Sequence, residues 1–216
     1  MLDNPSIEDY DFDMLLNELI ALEKQFPDLI LPDSPTQRVG GNVTKQFQQV
    51  AHKHQMLSLG NTYSQGELNE FFSRTANLLQ TSDIEYVCEL KYDGVAISLI
   101  YIDGILKQAV TRGNGMIGDE VTTNVKTIKT IPLRLHGNYP KELEVRGEII
   151  MPHESFNTLN KEREDIGETK FANPRNAASG SLKLQHSAEV AKRGLEFFLY
   201  YVYDDSNAYQ NHFQSI

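Results

Sequence analysis

The strongest constraint on the fold is the stretch 85–113, EYVCELKYDGVAISLIYIDGILKQAVTRG, where β-branched and aromatic residues run on, punctuated by Asp93-Gly94 and Asp103-Gly104. Such a run suits a pleated, half-buried surface, and Asp-Gly is favoured chemistry for a two-residue hairpin turn. Strands meeting at Asp103-Gly104 are therefore predicted, with others at 142–150 (ELEVRGEII) and 195–203 (LEFFLYYVY). Helices near 119–127, 153–165 and 174–183 intervene without regular βαβ alternation, so the expected class is α+β with a mainly antiparallel sheet. Upstream, Phe12, Leu15, Leu16, Leu19, Leu22 and Phe26 follow helical spacing over 8–25, and Pro27 ends that helix. The Pro-, Ser- and Gly-containing stretch that follows reads as a long ordered loop and a subdomain boundary. A further helix should start at Ser64, which stands at capping-box spacing from Glu67, with Leu68, Phe71, Phe72 and Leu78 on its apolar face.

Charge limits the partners. With 20 basic and 30 acidic side chains the net charge is −10, a poor balance for holding a polyanion unaided. No 18-residue apolar run is present, so no membrane span is expected. The acidic start MLDNPSIEDYDFD lacks the pattern of a signal peptide, and the single cysteine, Cys88, cannot form an internal disulfide. A cytoplasmic setting follows as the expectation. Cys88 itself is expected in the core.

Three segments could carry chemistry. In Glu89-Leu90-Lys91-Tyr92-Asp93-Gly94, a strand would put Glu89, Lys91 and Asp93 on one face and Cys88, Leu90 and Tyr92 on the other. The same alternation groups Glu144, Arg146 and Glu148. Solvated faces with compensating charges are the plain reading of both. Gly94 points further, because a missing side chain permits close approach by a ligand or another backbone. A lysine must be neutral to act as a nucleophile, and at its reference pKa only about one in 2,500 is neutral at pH 7. Nearby carboxylates oppose that state, whereas another cation favours it. Second, Gly113, Gly115 and Gly118 spell a literal G-x-G-x-x-G. A dinucleotide-binding reading conflicts with the polar run ILKQAVTR before it, with Asp119 and Glu120 after it, and with its place behind a hairpin. A turn that leaves Arg112 free to meet an anion is the better fit. Third, Asn173-Pro174 is a strong helix start, and Arg175 and Lys183, eight residues apart, share a face suited either to phosphates or to solvent. His52 and His54 lack a third ligand at suitable spacing and read as surface histidines.

Taken together, Glu89-Leu90-Lys91-Tyr92-Asp93-Gly94 resembles the Lys-x-Asp-Gly signature of covalent nucleotidyltransferases. SPTQRVGG (34–41), MLSLGNTY (56–63), TRGNGMIGDEVTTNVKTI (111–128), LEVRGEI (143–149) and FANPRNAASGSLK (171–183) resemble the bacterial NAD-dependent DNA ligases. The resemblance implies a nucleotidyltransferase core, ATP-grasp-like and built on antiparallel sheets with flanking helices, spanning 42–216 and preceded by part of a small helical subdomain over 1–41 that binds nicotinamide mononucleotide. It implies that Lys91 attacks the α-phosphate of NAD, with Mg²⁺ or Mn²⁺ as cofactor and no metal bound directly by these residues. Relatives pass the AMP to a nick in duplex DNA and seal it.

Carried over by position, the resemblance makes Lys91 the nucleophile and Asp93 the acidic partner of later steps. Glu89 would bind the adenine amino group, Ser58 and Leu59 the adenosine, Arg112 the ribose or phosphate, and Glu148 the ribose or a metal's water shell. Asp9, Phe12 and Asp13 fall in the nicotinamide mononucleotide pocket, where relatives usually have tyrosine in place of Phe12. Arg175 and Lys183 would meet DNA, although many relatives have arginine in place of Lys183, and lysine lacks the two-pronged geometry. The resemblance further implies that a preceding helix with a Tyr-His pair, two downstream core lysines and the zinc-bearing and DNA-binding modules lie outside these 216 residues. From this a monomer is expected that binds adenosine nucleotides weakly, adenylylates itself little, binds little DNA and does not ligate alone. Rival readings are an ATP-dependent relative and a non-catalytic nucleotide-binding or interaction module.

Overall fold

Pairing partners decide which of the apolar runs become strands. The structure, a computed structural model, describes residues 7, 9–38, 47–203, 205 and 209–216, and gives only the backbone of residues 9, 10, 13 and 37. In chain order the elements are α1 (Asp9–Gln25), β1 (Gln49–Ala51), α2 (Gln65–Leu79), β2 (Val95–Ile102), β3 (Ile105–Thr111), β4 (Ile117–Asp119), α3 (Thr122–Val125), β5 (Glu142–Ile150), α4 (His153–Asp165), α5 (Pro174–Leu182), α6 (Ser187–Ala191), β6 (Glu196–Tyr203) and α7 (His212–Ser215). Four strands form an antiparallel sheet in the order β3-β2-β5-β6, and β1 pairs with β4 in a second, two-stranded ladder. The mixed architecture of antiparallel sheets and flanking helices agrees with the expected class.

The β2–β3 hairpin turns at Asp103 and Gly104, with φ of 50° and 75°, the double positive φ of a type I′ turn. One face of the sheet carries Ile97, Leu99, Tyr101, Val145 and Ile149, which pack with Leu159 of α4 and with Ala177, Ala178 and Leu182 of α5. α5 starts as its sequence requires: the Asn173 side chain accepts from the Asn176 N–H, and Pro174 takes the first helical position. α2 likewise starts at Ser64, whose hydroxyl accepts from the Glu67 N–H, but Glu67 reaches back to the Tyr63 N–H instead of to Ser64.

Four expectations need correction. Residues 85–93 form no ladder: β2 starts only at Val95, and among the described residues no strand pairs with the preceding segment. Cys88 is accordingly exposed, not in the core. The helix expected over 119–127 shrinks to α3, since Ile117–Asp119 pair with Gln49–Ala51 first. The apolar faces of α1 and α2 do not enter the main core: Phe12, Leu15 and Leu22 stay exposed, and Phe71 and Phe72 meet only each other and Tyr86 among rings.

Candidate active site

On its other face the sheet is polar. Antiparallel register sets Ala96 opposite Glu148, Ser98 opposite Arg146 and Ile100 opposite Glu144, so β5 brings three charges to this face. These charges are not solvated, as plain alternation suggested: Glu144, Arg146 and Glu148 are only 6%, 6% and 9% exposed. Arg146 and Glu148 floor a cleft of about 880 Å³.

Each wall has a local cause. Leu57, Ser58 and Leu59 form one side, held at its base by the Met56 N–H donating to the Gly115 carbonyl at 2.9 Å. A second side is the ladderless segment Glu89–Tyr92, followed by Gly94. A Cβ on Gly94 would lie 2.2 Å from the Ile149 carbonyl oxygen, so the glycine admits another backbone, and its N–H donates to Glu148 Oε1 at 3.2 Å. Because no pleat governs 85–93, Leu90 and Tyr92 line the cleft along with Glu89 and Lys91, contrary to the two-faced pattern.

The glycine cluster forms a turn between strands, not the start of a helix. Gly113 and Gly115 have φ of 56° and 93°, and a Cβ on Gly118 would sit 1.6 Å from the Thr111 carbonyl oxygen. This turn presents Arg112 to the cleft. From α5, Arg175 and Lys183 also line it; Arg175 pairs with Asp93 at 2.8 Å and Lys183 with Asp119 at 2.7 Å.

β6 supplies rings through an irregularity. Arg146 faces Tyr201 and Gly147 faces Leu199, which leaves Tyr200 as an extra residue, a β-bulge. The inserted residue reverses the alternation. Phe197, Leu199 and Val202 pack on the core, while Tyr201 and Tyr203, on the far side of the bulge from Phe198, line the cleft. Phe198 stacks on Tyr92 at 4.4 Å.

The electrostatics converge on Glu148. Burial pushes its carboxyl above the ordinary range, while the Gly94 N–H and the positive charges of Arg175, Lys91 and Arg112 pull the other way. Glu144 goes in the opposite direction: burial raises it, but the His54, Ser98 and Arg146 contacts outweigh that and leave it below the usual carboxylate value. Among the described residues no hydrogen bond or ion pair engages the Lys91 amine. Glu89 is less free, since His212 of α7 meets its Oε1 at 2.6 Å and lies parallel to Tyr201.

The structure thus brings Glu89, Lys91, Arg112, Glu148, Ser58, Leu59, Arg175 and Lys183 to one cleft, with Asp93 joined through Arg175. Phe12 lies on α1, half-exposed, and is not among the cleft residues; the side chains of Asp9 and Asp13 lie outside the described residues. Sequence reasoning singled out Arg146 without a role, set His54 aside as a surface group, and missed Tyr201, Tyr203 and His212. His52 and His54 are not free surface groups: His52 Nε2 reaches the Thr111 and Arg112 carbonyls at 3.1 and 3.2 Å, and His54 meets Glu144. Only the aromatic run FFLYYVY carried a readable signal for the missed tyrosines.

A cleft on an antiparallel sheet that gathers an unengaged lysine, two arginines and a buried carboxylate suits an anionic ligand and leaves the lysine amine available to it. Residues 44–216 match the model of the NAD-dependent DNA ligase adenylation domain, and residues 1–40 that of the DNA ligase-like, N-terminal NAD⁺-binding domain. The chain belongs to the NAD-dependent DNA ligase adenylation domain family. It is 55% identical to a DNA ligase of Cytophaga hutchinsonii over 97% of its length and 31% of that protein's. It is 52% identical to a DNA ligase of Flavobacterium johnsoniae over 100% of its length and 32% of that protein's, and 56% identical to one of Chlorobium chlorochromatii over 92% and 30%. The chain therefore spans about a third of the curated relatives it matches.

Proposed function

We propose that the cleft binds the adenosine half of NAD and that Lys91 Nζ attacks the α-phosphate. The new bond is N–P; the bond broken joins that phosphorus to the pyrophosphate oxygen, which leaves with nicotinamide mononucleotide. A proton from the amine goes to solvent, and AMP stays on Lys91 as a phosphoramidate. The observation that carries this reading is the gathering of Lys91, Arg112, Arg175 and Glu148 around one cleft with room for a nucleotide.

The remaining roles follow from placement. Glu89 accepts from the adenine amino group once His212 moves aside, Ser58 and Leu59 enclose the adenosine, and the Tyr201 ring offers the base a flat apolar face. Arg112 neutralises phosphate charge, and Glu148 meets the ribose. Asp9, Phe12 and Asp13 belong to the nicotinamide mononucleotide side, in a subdomain over 1–41 ahead of a core over 42–216, a division that the family matches to 1–40 and 44–216 support. The match of residues 1–40 to an NAD⁺-binding family favours NAD over ATP.

Mg²⁺ or Mn²⁺ fits as a guest of the pyrophosphate. Among the described residues no three His, Cys, Asp or Glu side chains converge to hold an ion, and Mg²⁺ characteristically keeps waters and takes one or two carboxylates with substrate phosphates. Glu148 is the carboxylate that would meet its water shell, and the ion would supply neutralisation of phosphate charge. In a longer polypeptide AMP passes to the 5′-phosphate of a nick in duplex DNA, with Asp93, Arg175 and Lys183 acting in those steps. A chain of charge −10 needs basic modules elsewhere to hold that DNA.

Incubation of this polypeptide with adenylate-labelled NAD and Mg²⁺ tests the reading. Slow, acid-labile labelling that maps to Lys91 and vanishes in Lys91→Ala is expected; labelling that persists in the variant would refute it.

A further inference from the structure

Arg146 is the most engaged cation of the cleft floor, yet none of its contacts points at the place of the reacting amine. Its Nε donates to Glu144 Oε1 at 2.9 Å, and Nη1 donates to the Gln55 carbonyl at 3.0 Å and the Tyr203 hydroxyl at 3.2 Å. Nη2 donates to the His54 carbonyl. The guanidinium lies 4.3 Å over the Tyr203 ring, and that ring in turn stacks on the His54 imidazole at 4.3 Å. Glu144 closes the circle, accepting from Ser98 Oγ and from His54 Nδ1, each at 2.8 Å.

The object of these bonds is a stretch of backbone. Residues 54 and 55 immediately precede Met56, after which Leu57, Ser58 and Leu59 run along the cleft with exposures of 72% for Leu57 and 75% for Leu59. That wall belongs to no helix or strand and has no ladder of its own to fix it. Its order must come from its ends. At the downstream end is the Ser64 cap of α2, and at the upstream end are the Met56 N–H bond to Gly115 and the two carbonyl bonds from Arg146.

We infer that Arg146 is a positioning residue of the nucleotide cleft: through the consecutive carbonyls of His54 and Gln55 it clamps the wall that carries Ser58 and Leu59, with Glu144 and His54 holding the guanidinium in plane. This deepens the proposed function, since the wall matters only if adenosine lies against it. The fork geometry is what the clamp uses. Lysine at 146 would keep the charge that balances buried Glu144, but one ammonium cannot reach the carboxylate and two successive carbonyls in fixed directions.

Arg146→Lys is therefore the decisive variant, with His54→Phe beside it, which retains the ring on Tyr203 and removes the bond to Glu144. Amide hydrogen exchange and AMP binding are measured on the 216-residue chain. In Arg146→Lys, exchange at Met56, the wall amide that donates to the Gly115 carbonyl, should quicken about tenfold and AMP should bind about tenfold more weakly, the equivalent of roughly 1.4 kcal/mol each, while Ile97 and Leu99 keep their protection. His54→Phe should move both readouts the same way by less. Weaker AMP binding with unchanged exchange at the wall would make Arg146 a ligand contact and overturn the inference. So would exchange that rises evenly over the sheet, the mark of a purely structural role, or no change in either readout. Should Arg146→Lys fail to fold, the same outcomes read on His54→Phe decide. If the unaltered chain binds no adenosine nucleotide, the proposed function fails, while the exchange data still test the clamp.

Discussion

Gly94→Ala is the smallest change that should disturb the cleft. A Cβ there would meet the Ile149 carbonyl oxygen at 2.2 Å, its carbon at 2.9 Å and Ile150 Cγ2 at 2.9 Å. Two of those atoms are backbone of β5, a strand bonded on both sides by β2 and β6, so it cannot yield alone. Ordinary contact between carbon and its neighbours lies near 3.5 Å, so residues 93–95 must withdraw by about 1 Å. That movement breaks or lengthens the Gly94 N–H bond to Glu148 and shifts Lys91, three residues away, relative to Arg112. Gly94 is not in the positive-φ region, so the cost is steric alone. Inserting a methyl group against packed atoms costs about 1–3 kcal/mol, which for a chain of this size lowers Tm by roughly 2–12 °C. Thermal unfolding followed by circular dichroism gives the first quantity, and the initial rate of Lys91 labelling from NAD gives the second, expected to fall at least tenfold because a 1 Å displacement of a reacting group costs about 100-fold. A variant with unchanged Tm and an undiminished labelling rate would refute the claim that backbone contact at Gly94 sets the position of the nucleophile.

Two further outcomes concern charge. The folded value of Glu148 lies above its unfolded value, so the native state holds more protons in the window upward from about 4.5, and stability falls as pH rises through that window. Glu148→Gln should remove this term, and its Tm relative to the parent should climb from pH 4.5 toward neutrality; a flat difference would show the carboxylate to be well solvated. His212 occupies Glu89 Oε1, at a contact about one-third exposed on both sides and worth roughly 1 kcal/mol. His212→Ala should therefore tighten adenosine binding by about fivefold, measured by titration calorimetry with AMP, whereas weaker binding would make His212 a part of the pocket.

Legibility followed the availability of local signals. α4, α5 and β5 could be delimited almost to the residue because Pro152, Asn173-Pro174 and the alternating run from Glu142 to Ile150 announce their own ends. The hairpin turn was equally local. The cleft residues were readable through their motifs, but their mutual arrangement was not, since Glu89 and Lys91 reach the cleft from a segment without the pleat that the alternation assumed. Burial of Glu144, Arg146 and Glu148 depends on Ser98 and Tyr203, brought in by the sheet register, and on His54, which joins them from outside the sheet through Glu144 and the Tyr203 ring. His54 and His212 had no spacing signal at all, because their carboxylate partners lie 90 and 123 residues away.

The extra residue in β6 is compatible with the site only while it stays out of the ladder. Drawing Tyr200 into the ladder as an ordinary strand residue would exchange the destinations of everything beyond it, sending two hydroxyl-bearing rings into the oily layer and Val202 out toward the nucleotide side, whereas deleting it would leave Tyr201 opposite Arg146. Side chains at single positions there can vary within their own surroundings. Tyr200 cannot join the ladder, for its exclusion is what keeps the rings at 201 and 203 on the cleft side.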